Sequence, residues 1–276
     1  SIQTLYSSET PSEAGSINQV RICTVKLLEI AKKHNLPIII IGHVTKDGQV
    51  AGPKSLEHLV DAVIYLEGSK TDDFRLLRCA KNRFGSTQEI GIFDMTAKGL
   101  IEIKNPSQLF LSEKQTNISG SAVSCIIEGT RPFLIEIQAL VSKTMFGYPQ
   151  RKTAGYDINR LQMLTAVLIK RAQIPLLNQD IHLNITGGLK ISETGTDLAV
   201  CLAIISSLKN KAIPKNNIII GEVGLGGEIR SVYQIEKRIQ EAKKLGFTKI
   251  ITPPIKNKVK NVTEIKTINQ AIEEIL

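Results

Sequence analysis

The residues of this chain best suited to chemistry lie together at Lys81-Asn82-Arg83-Phe84-Gly85, two cations and an amide ahead of an aromatic and a glycine. Positive side chains held at a turn can stabilise the charge that develops on a phosphoryl group in transfer. Read alone, the same five residues are a strand ending in a basic hairpin turn. A second candidate is His43, which comes directly after the apolar run Ile38-Ile39-Ile40-Ile41-Gly42, at the strand end beyond which open parallel sheets bind ligands. No G-x-x-x-x-G-K-[ST] phosphate cradle occurs. Its nearest imitation, Lys152-Thr153, has Arg151 and Phe146 where glycines must let backbone N–H groups approach. The glycines from Gly221 to Gly227 lack the spacing of a dinucleotide fingerprint. Cys23, Cys79, Cys125 and Cys201 lie far apart, with no C-x-x-C and no histidine pair nearby, so neither a zinc site nor a disulfide framework is signalled and no metal ligands are expected.

An α/β scaffold must carry these residues. Ile17, Val20, Thr24, Leu27, Leu28 and Ala31 recur at helical spacing among Arg21, Lys26, Lys32 and Lys33, and Asn35-Leu36-Pro37 ends the pattern; this predicts an amphipathic helix. The β-branched run over 38–41 predicts a strand buried on both faces of a parallel sheet. A polar, glycine-rich loop spans 44–54, and Ser55 is placed to cap a helical turn over 56–60. Strands are expected at 62–66, 74–80, 88–94 and 100–104, with turns at 82–85 and 97–99. Periodicity lapses after Asn105-Pro106-Ser107 and through 112–120, so a domain boundary is put near residue 112. Beyond it the pattern predicts strands from Ala122 and over 134–141, 181–185, 218–223 and 249–252. Helices are predicted at 157–173, 196–208 and 235–245, with a short one to finish.

At 276 residues the chain suits two domains. Its net charge of +9 divides as +1 over residues 1–112 and +8 over 113–276, so an anion-facing surface belongs to the second part if there is one. No apolar run approaches the roughly 20 residues of a membrane helix and no charged-then-apolar leader opens the chain, so a cytoplasmic protein is expected, with no membrane partner. The chain opens on Ser1 in what reads as the middle of a domain, which suggests a piece of a longer protein.

Lys81 to Gly85 resembles the KNRFG motif of the RadA (Sms) family of bacterial DNA-repair ATPases. Other segments point the same way. Ser1-Ile2-Gln3-Thr4-Leu5 is similar to the segment just after the Walker B aspartate in that family, and Gly42 to Lys46 with the loop to Lys54 resembles its sensor strand and DNA-contacting loop. From about Ala122 onward the pattern resembles the proteolytic domain of Lon proteases. The stretch from Leu183 to Val200 aligns with the Lon segment that carries the nucleophile, Gly221 to Ile229 with a Lon hairpin, and Glu236 to Ala242 with the helix of its catalytic lysine. Gly195 then falls at the serine and Arg238 at the lysine. Glycine has no side chain to attack with, and a guanidinium stays protonated, so it cannot act as a base.

The resemblance therefore implies the C-terminal half of a RecA-like P-loop ATPase core over 1–112. An α+β Lon protease-like domain of the ribosomal protein S5 domain 2 type occupies 113–276, with its dyad degenerate. It implies a homo-hexameric ring that uses ATP and Mg and binds single-stranded and branched DNA in repair and recombination. Zinc would be held only in a preceding region, and recombinase and replication proteins are further partners it suggests. By the same resemblance His43 senses phosphate, Lys81 and Arg83 act on a nucleotide in the neighbouring subunit, and the chain alone neither hydrolyses ATP nor cleaves protein. The expected DNA surface is Lys46, Lys54, Lys143, Arg151, Lys152, Arg160, Lys170 and Arg171, with Tyr148 and Tyr156. An active Lon-type peptidase and a partner-binding module are the alternatives, and Gly195 counts against the first.

Overall fold

The structure, a computed structural model, describes residues 1–43, 56–68, 74–103, 107, 111, 118–145 and 147–276. They form a mixed α/β protein with several sheets, in two compact units: residues 1–67 with 77–89, and residues 68–76 with 90–276. The boundary expected near residue 112 falls on residues outside that description.

In the first unit, helix α1 (Ile17–His34) starts on Ser16, whose hydroxyl accepts from Gln19 N–H, and stops at Asn35 in the left-handed conformation. Lys32, Lys33 and His34 complement the dipole at its last turn. Its buried face, Val20 and Cys23, packs with Ile2 and Leu56. Gln19 is fully buried; its side chain ties α1 to the preceding loop through Ser7, Thr10 and Ser12. Residues 56–60 close a single helical turn, ahead of β1 (Ala62–Gly68) and β2 (Phe74–Asn82), which are neighbours in one sheet. The run over 38–41 corrects an expectation. It lies in no strand, and Ile39 and Ile41 are 92% and 65% exposed. Apolar β-branched residues favour a buried strand only where others flank them, and here Ile2 N–H, donating to Ile41 O at 2.9 Å, supplies the contact.

The second unit contains the hairpin β3 (Ile90–Thr96) and β4 (Gly99–Glu102). Strands β5 (Ser121–Glu128), β6 (Arg131–Lys143), β7 (Arg151–Ala154) and β8 (Gln179–Ile185) form a sheet in the order β5-β6-β8-β7, with only the β7–β8 pair parallel. Helix α2 (Ile158–Arg171) buries one face, Leu161, Leu164, Val167 and Leu168. Helix α3 (Asp197–Lys209) is buried on every side from Asp197 to Ser206 and forms the centre of the main core, as an all-round apolar helix must. Strands β9 (Asn217–Ile219), β12 (Lys249–Thr252) and β13 (Val262–Glu264) make a parallel sheet, and β10 (Glu222–Val223) with β11 (Ile229–Arg230) a small antiparallel hairpin. Helix α4 (Ile235–Lys244) packs Ile235, Ile239 and Ala242 on Val123, Cys125 and Leu134, in a second core that includes Ile250. Helix α5 (Ile268–Ile275) closes the fold. Among the described residues no helix is long and apolar enough to cross a membrane.

Candidate functional site

Strand β2 delivers Lys81, and the turn after it delivers Arg83. The Lys81 ammonium donates to the carbonyls of Glu57 (2.5 Å) and Val60 (2.9 Å), acceptors of the kind left open at the end of a helical turn. Arg83 N–H donates to Asp61 O at 2.9 Å, and its guanidinium meets the Asp61 carboxylate at 3.1 Å. Asn82 Oδ1 accepts from Phe84 N–H at 3.1 Å and closes the turn, leaving the Phe84 ring 86% exposed. The pentapeptide thus braces its own unit. Lys81 commits two of its three donors to the chain's own carbonyls. The Tyr65 hydroxyl donates to Glu57 at 2.6 Å, and that bond raises its pKa. His43 is exposed, its backbone clasped by the Gln3 side chain in two bonds of 3.0 and 3.4 Å. No hydrogen bond or ion pair among the described residues joins it to Lys81 or Arg83. Lys46 and Lys54 lie outside the described residues.

Gly195 and Arg238, far apart in sequence, meet. A Cβ placed on Gly195 would stand 3.1 Å from Arg238 Nη1 and 3.4 Å from Glu193 Oε1. Arg238 is 1% exposed and four of its five donors are engaged. Both terminal nitrogens reach Glu193, at 2.7 and 2.6 Å; Nε donates to Tyr233 O at 3.0 Å, and Nη1 also donates to Cys125 O. A serine at residue 195 would crowd this guanidinium, which is already protonated and cannot accept a proton. Thr194 Oγ1 donates to Glu222 at 2.7 Å, and Thr196 is buried. Burial pushes the Cys125 thiol up to about 12 although Arg238 beside it pulls the other way, so it stays protonated and unreactive.

Asp197, the first residue of α3, is buried with a set of donors around it. Tyr156 OH donates to Oδ1 at 2.7 Å, Arg160 binds both carboxylate oxygens, and Val223 N–H reaches Oδ2 at 3.3 Å. Burial raises the carboxyl above the usual range, against the pull of Arg160 and Tyr156. The site is set by Gly155, whose positive φ of 80° and closeness to Leu189 O, 2.2 Å from where a Cβ would stand, exclude a side chain just before Tyr156.

These contacts and others like them engage part of the expected DNA surface within the chain. Arg160 is turned inward onto Asp197, and Tyr156 is buried with it. Arg151 donates to the carbonyls of Gln150, Leu176 and Gln179, and desolvation lowers its pKa. Arg171 Nε reaches Leu225 O at 3.2 Å. Guanidiniums carry five donors and readily replace missing backbone partners. Lys143, Lys152 and Lys170 remain exposed, and Tyr148 is 84% exposed. Strand β6 runs to Lys143 and β7 begins at Arg151, and the Asp180 carboxylate accepts from Thr144 Oγ1 at 2.8 Å and from Gln150 N–H at 2.7 Å. Glu193 and Asp197 escaped the sequence reading. A lone carboxylate opening an otherwise apolar helix was the available signal, because a buried charge requires partners.

This order of strands and helices defines the class: a Lon protease-like domain, preceded by a segment of RecA-like type. A family model described as "Subunit ChlI of Mg-chelatase" matches residues 155–256. The chain is 51% identical to the DNA repair protein RadA of Streptococcus pneumoniae over 280 residues, covering all of this chain and 66% of that protein. It is 49% identical to RadA of Listeria monocytogenes (all of this chain, 62% of the relative) and 51% identical to RadA of Bacillus subtilis (92% and 55%). The chain belongs to the RadA family, and spans between 55% and 66% of the length of these relatives.

Proposed function

We propose that this chain is the DNA-binding and assembly part of a DNA-repair ATPase that acts on single-stranded and branched DNA in homologous recombination. The observation that carries the reading is its 49–51% identity, along its whole length, to proteins named for DNA repair. In this reading residues 1–112 and 113–276 act as separate domains of a homo-hexameric, cytoplasmic ring that takes ATP and Mg in its intact form. His43 senses phosphate, and Lys81 and Arg83 leave their intrachain carbonyls to act on a neighbour's nucleotide. Residues 113–276 serve as a scaffold, a role supported by the buried, four-fold hydrogen-bonded Arg238 beside Gly195. Lys143, Lys152 and Lys170 touch DNA phosphates, while Arg151, Arg160 and Arg171 hold the surface that presents them.

Fluorescence anisotropy with labelled oligonucleotides at several salt concentrations tests this. The chain should bind with little sequence preference, and Lys143→Glu with Lys152→Glu should lower the salt slope by about 0.7–0.9 per lost phosphate contact. Absence of binding at low salt, or cleavage of an unfolded protein substrate, overturns the reading.

A further inference from the structure

Strands β12 and β13 are parallel neighbours, yet the connection between them is only residues 253–261. Parallel crossovers ordinarily take about a dozen residues or more, often a helix. The connection bends at residues 253, 256 and 257 and turns at 260–261, and its sequence alternates: Ile255-Lys256-Asn257-Lys258-Val259-Lys260. Ile255 and Val259 are half-buried and pack on the second core beside α4, and Asn257 faces the same way. Together with Ile239, Gln240 and Lys243 of α4 these residues line a groove of about 250 Å³. Lys256, Lys258 and Lys260 are exposed. Asn261, with φ 69°, turns the chain into β13.

These lysines differ from the arginines described above. The arginines are committed to carboxylates or backbone carbonyls, whereas Lys243, Lys256, Lys258 and Lys260 have no hydrogen bond or ion pair among the described residues. Glu264 approaches the loop only through Ile255 N–H, at 3.5 Å, and Glu236 is the one acid lining the groove. Holding several cations together without counter-charges raises their mutual repulsion, and an anionic partner relieves it. Gln240 and Asn257 add neutral side-chain donors that can bond phosphate or sugar oxygens.

We propose that this crossover, with Lys243, is a second contact for the phosphate backbone of nucleic acid, built on a different core from Lys143 and Lys152. The proposal rests on the DNA-binding reading above. A chain with two backbone contacts can hold one long strand at two points or two strands of a branch together.

The test uses the whole chain, a labelled single-stranded homopolymer and a mixed-sequence duplex, each titrated at several salt concentrations. Lys256→Glu, Lys258→Glu and Lys260→Glu combined should weaken binding at moderate salt tenfold or more. The salt slope should fall by about 2 units on the single strand and about 2.7 on the duplex, three contacts at roughly 0.7 and 0.9 each. The neutral triple glutamine variant should retain most of that loss of slope, which distinguishes lost contacts from added repulsion. Both variants should melt as the parent does, because the side chains are exposed. If the triple variants bind with the parental slope while Lys143→Glu with Lys152→Glu weakens binding, the inference falls, the DNA reading stands and the lysines face an acidic protein instead. If the parent binds neither oligonucleotide, both fall.

Discussion

Arg238→Met removes the guanidinium that lies beside Gly195 and leaves a side chain matching the arginine's aliphatic stem. Two backbone carbonyls, Tyr233 O and Cys125 O, lose their donor, and Glu193 loses a two-point partner. Breaking a buried ion pair from one side costs about 3–5 kcal/mol, and each buried acceptor left unpaired about 1–3 kcal/mol. These overlap and do not add, and Glu193, 27% exposed, recovers part of its hydration. The net loss should therefore be about 3–5 kcal/mol, a large share of the roughly 5–15 kcal/mol that holds a domain folded. At about 2–4 °C per kcal/mol for a unit of this size, the melting temperature should fall by about 6–20 °C. Scanning calorimetry or far-UV circular dichroism reads this directly; the chain has no tryptophan to report it by fluorescence. Adding Glu193→Gln should return part of the loss, since the stranded charge goes with it. A shift below about 2 °C for Arg238→Met would refute the view that this arginine is a structural plug.

Two further outcomes rest on the site geometry. If the proposed ring ATPase is right, Lys81→Ala in the full-length protein should depress DNA-stimulated ATP hydrolysis and leave nucleotide binding in place. If hydrolysis, binding and thermal stability decline together, the lysine acts only as the strut to Glu57 and Val60. Asp180 tests pH dependence: Gln150 N–H and the Thr144 hydroxyl hold its carboxyl below the ordinary value of 3.8. The folded pKa is the depressed one, so this anchor is present above the ordinary value and is lost as pH falls through the folded one. Hydrogen exchange at the Gln150 amide should show little extra opening between neutrality and mild acid, then rise in strong acid, and Asp180→Asn should remove that step. An acid step that persists in the Asn variant would contradict the assignment.

The parts of the fold legible in sequence are those where one local pattern decides the outcome. Asp157 caps α2, Asn35 stops α1, and the expected strand over 249–252 matches β12, because caps and short apolar runs act over a few residues. Where the outcome depends on a distant partner the reading strayed. The run over 38–41 has the composition of a buried strand and lies in none. The run over 218–223 reads as one strand but breaks at Gly221, whose N–H donates to Gly195 O and whose carbonyl accepts from Leu198 N–H; the ladder is given up to position the loop that carries Gly195. The same limit explains the cations. A sequence counts charges but does not say which are committed, and an arginine near an unpaired carbonyl or a buried carboxylate is drawn inward at little cost to a loop. Arg151, Arg160 and Arg238 are all of this kind. A lysine presents a compact, strongly hydrated charge on a flexible stem and is more readily left in water. The basic excess of residues 113–276 therefore overstates the surface available to phosphates, and the lysines that alternate with Ile255 and Val259 are the part of it most open to them.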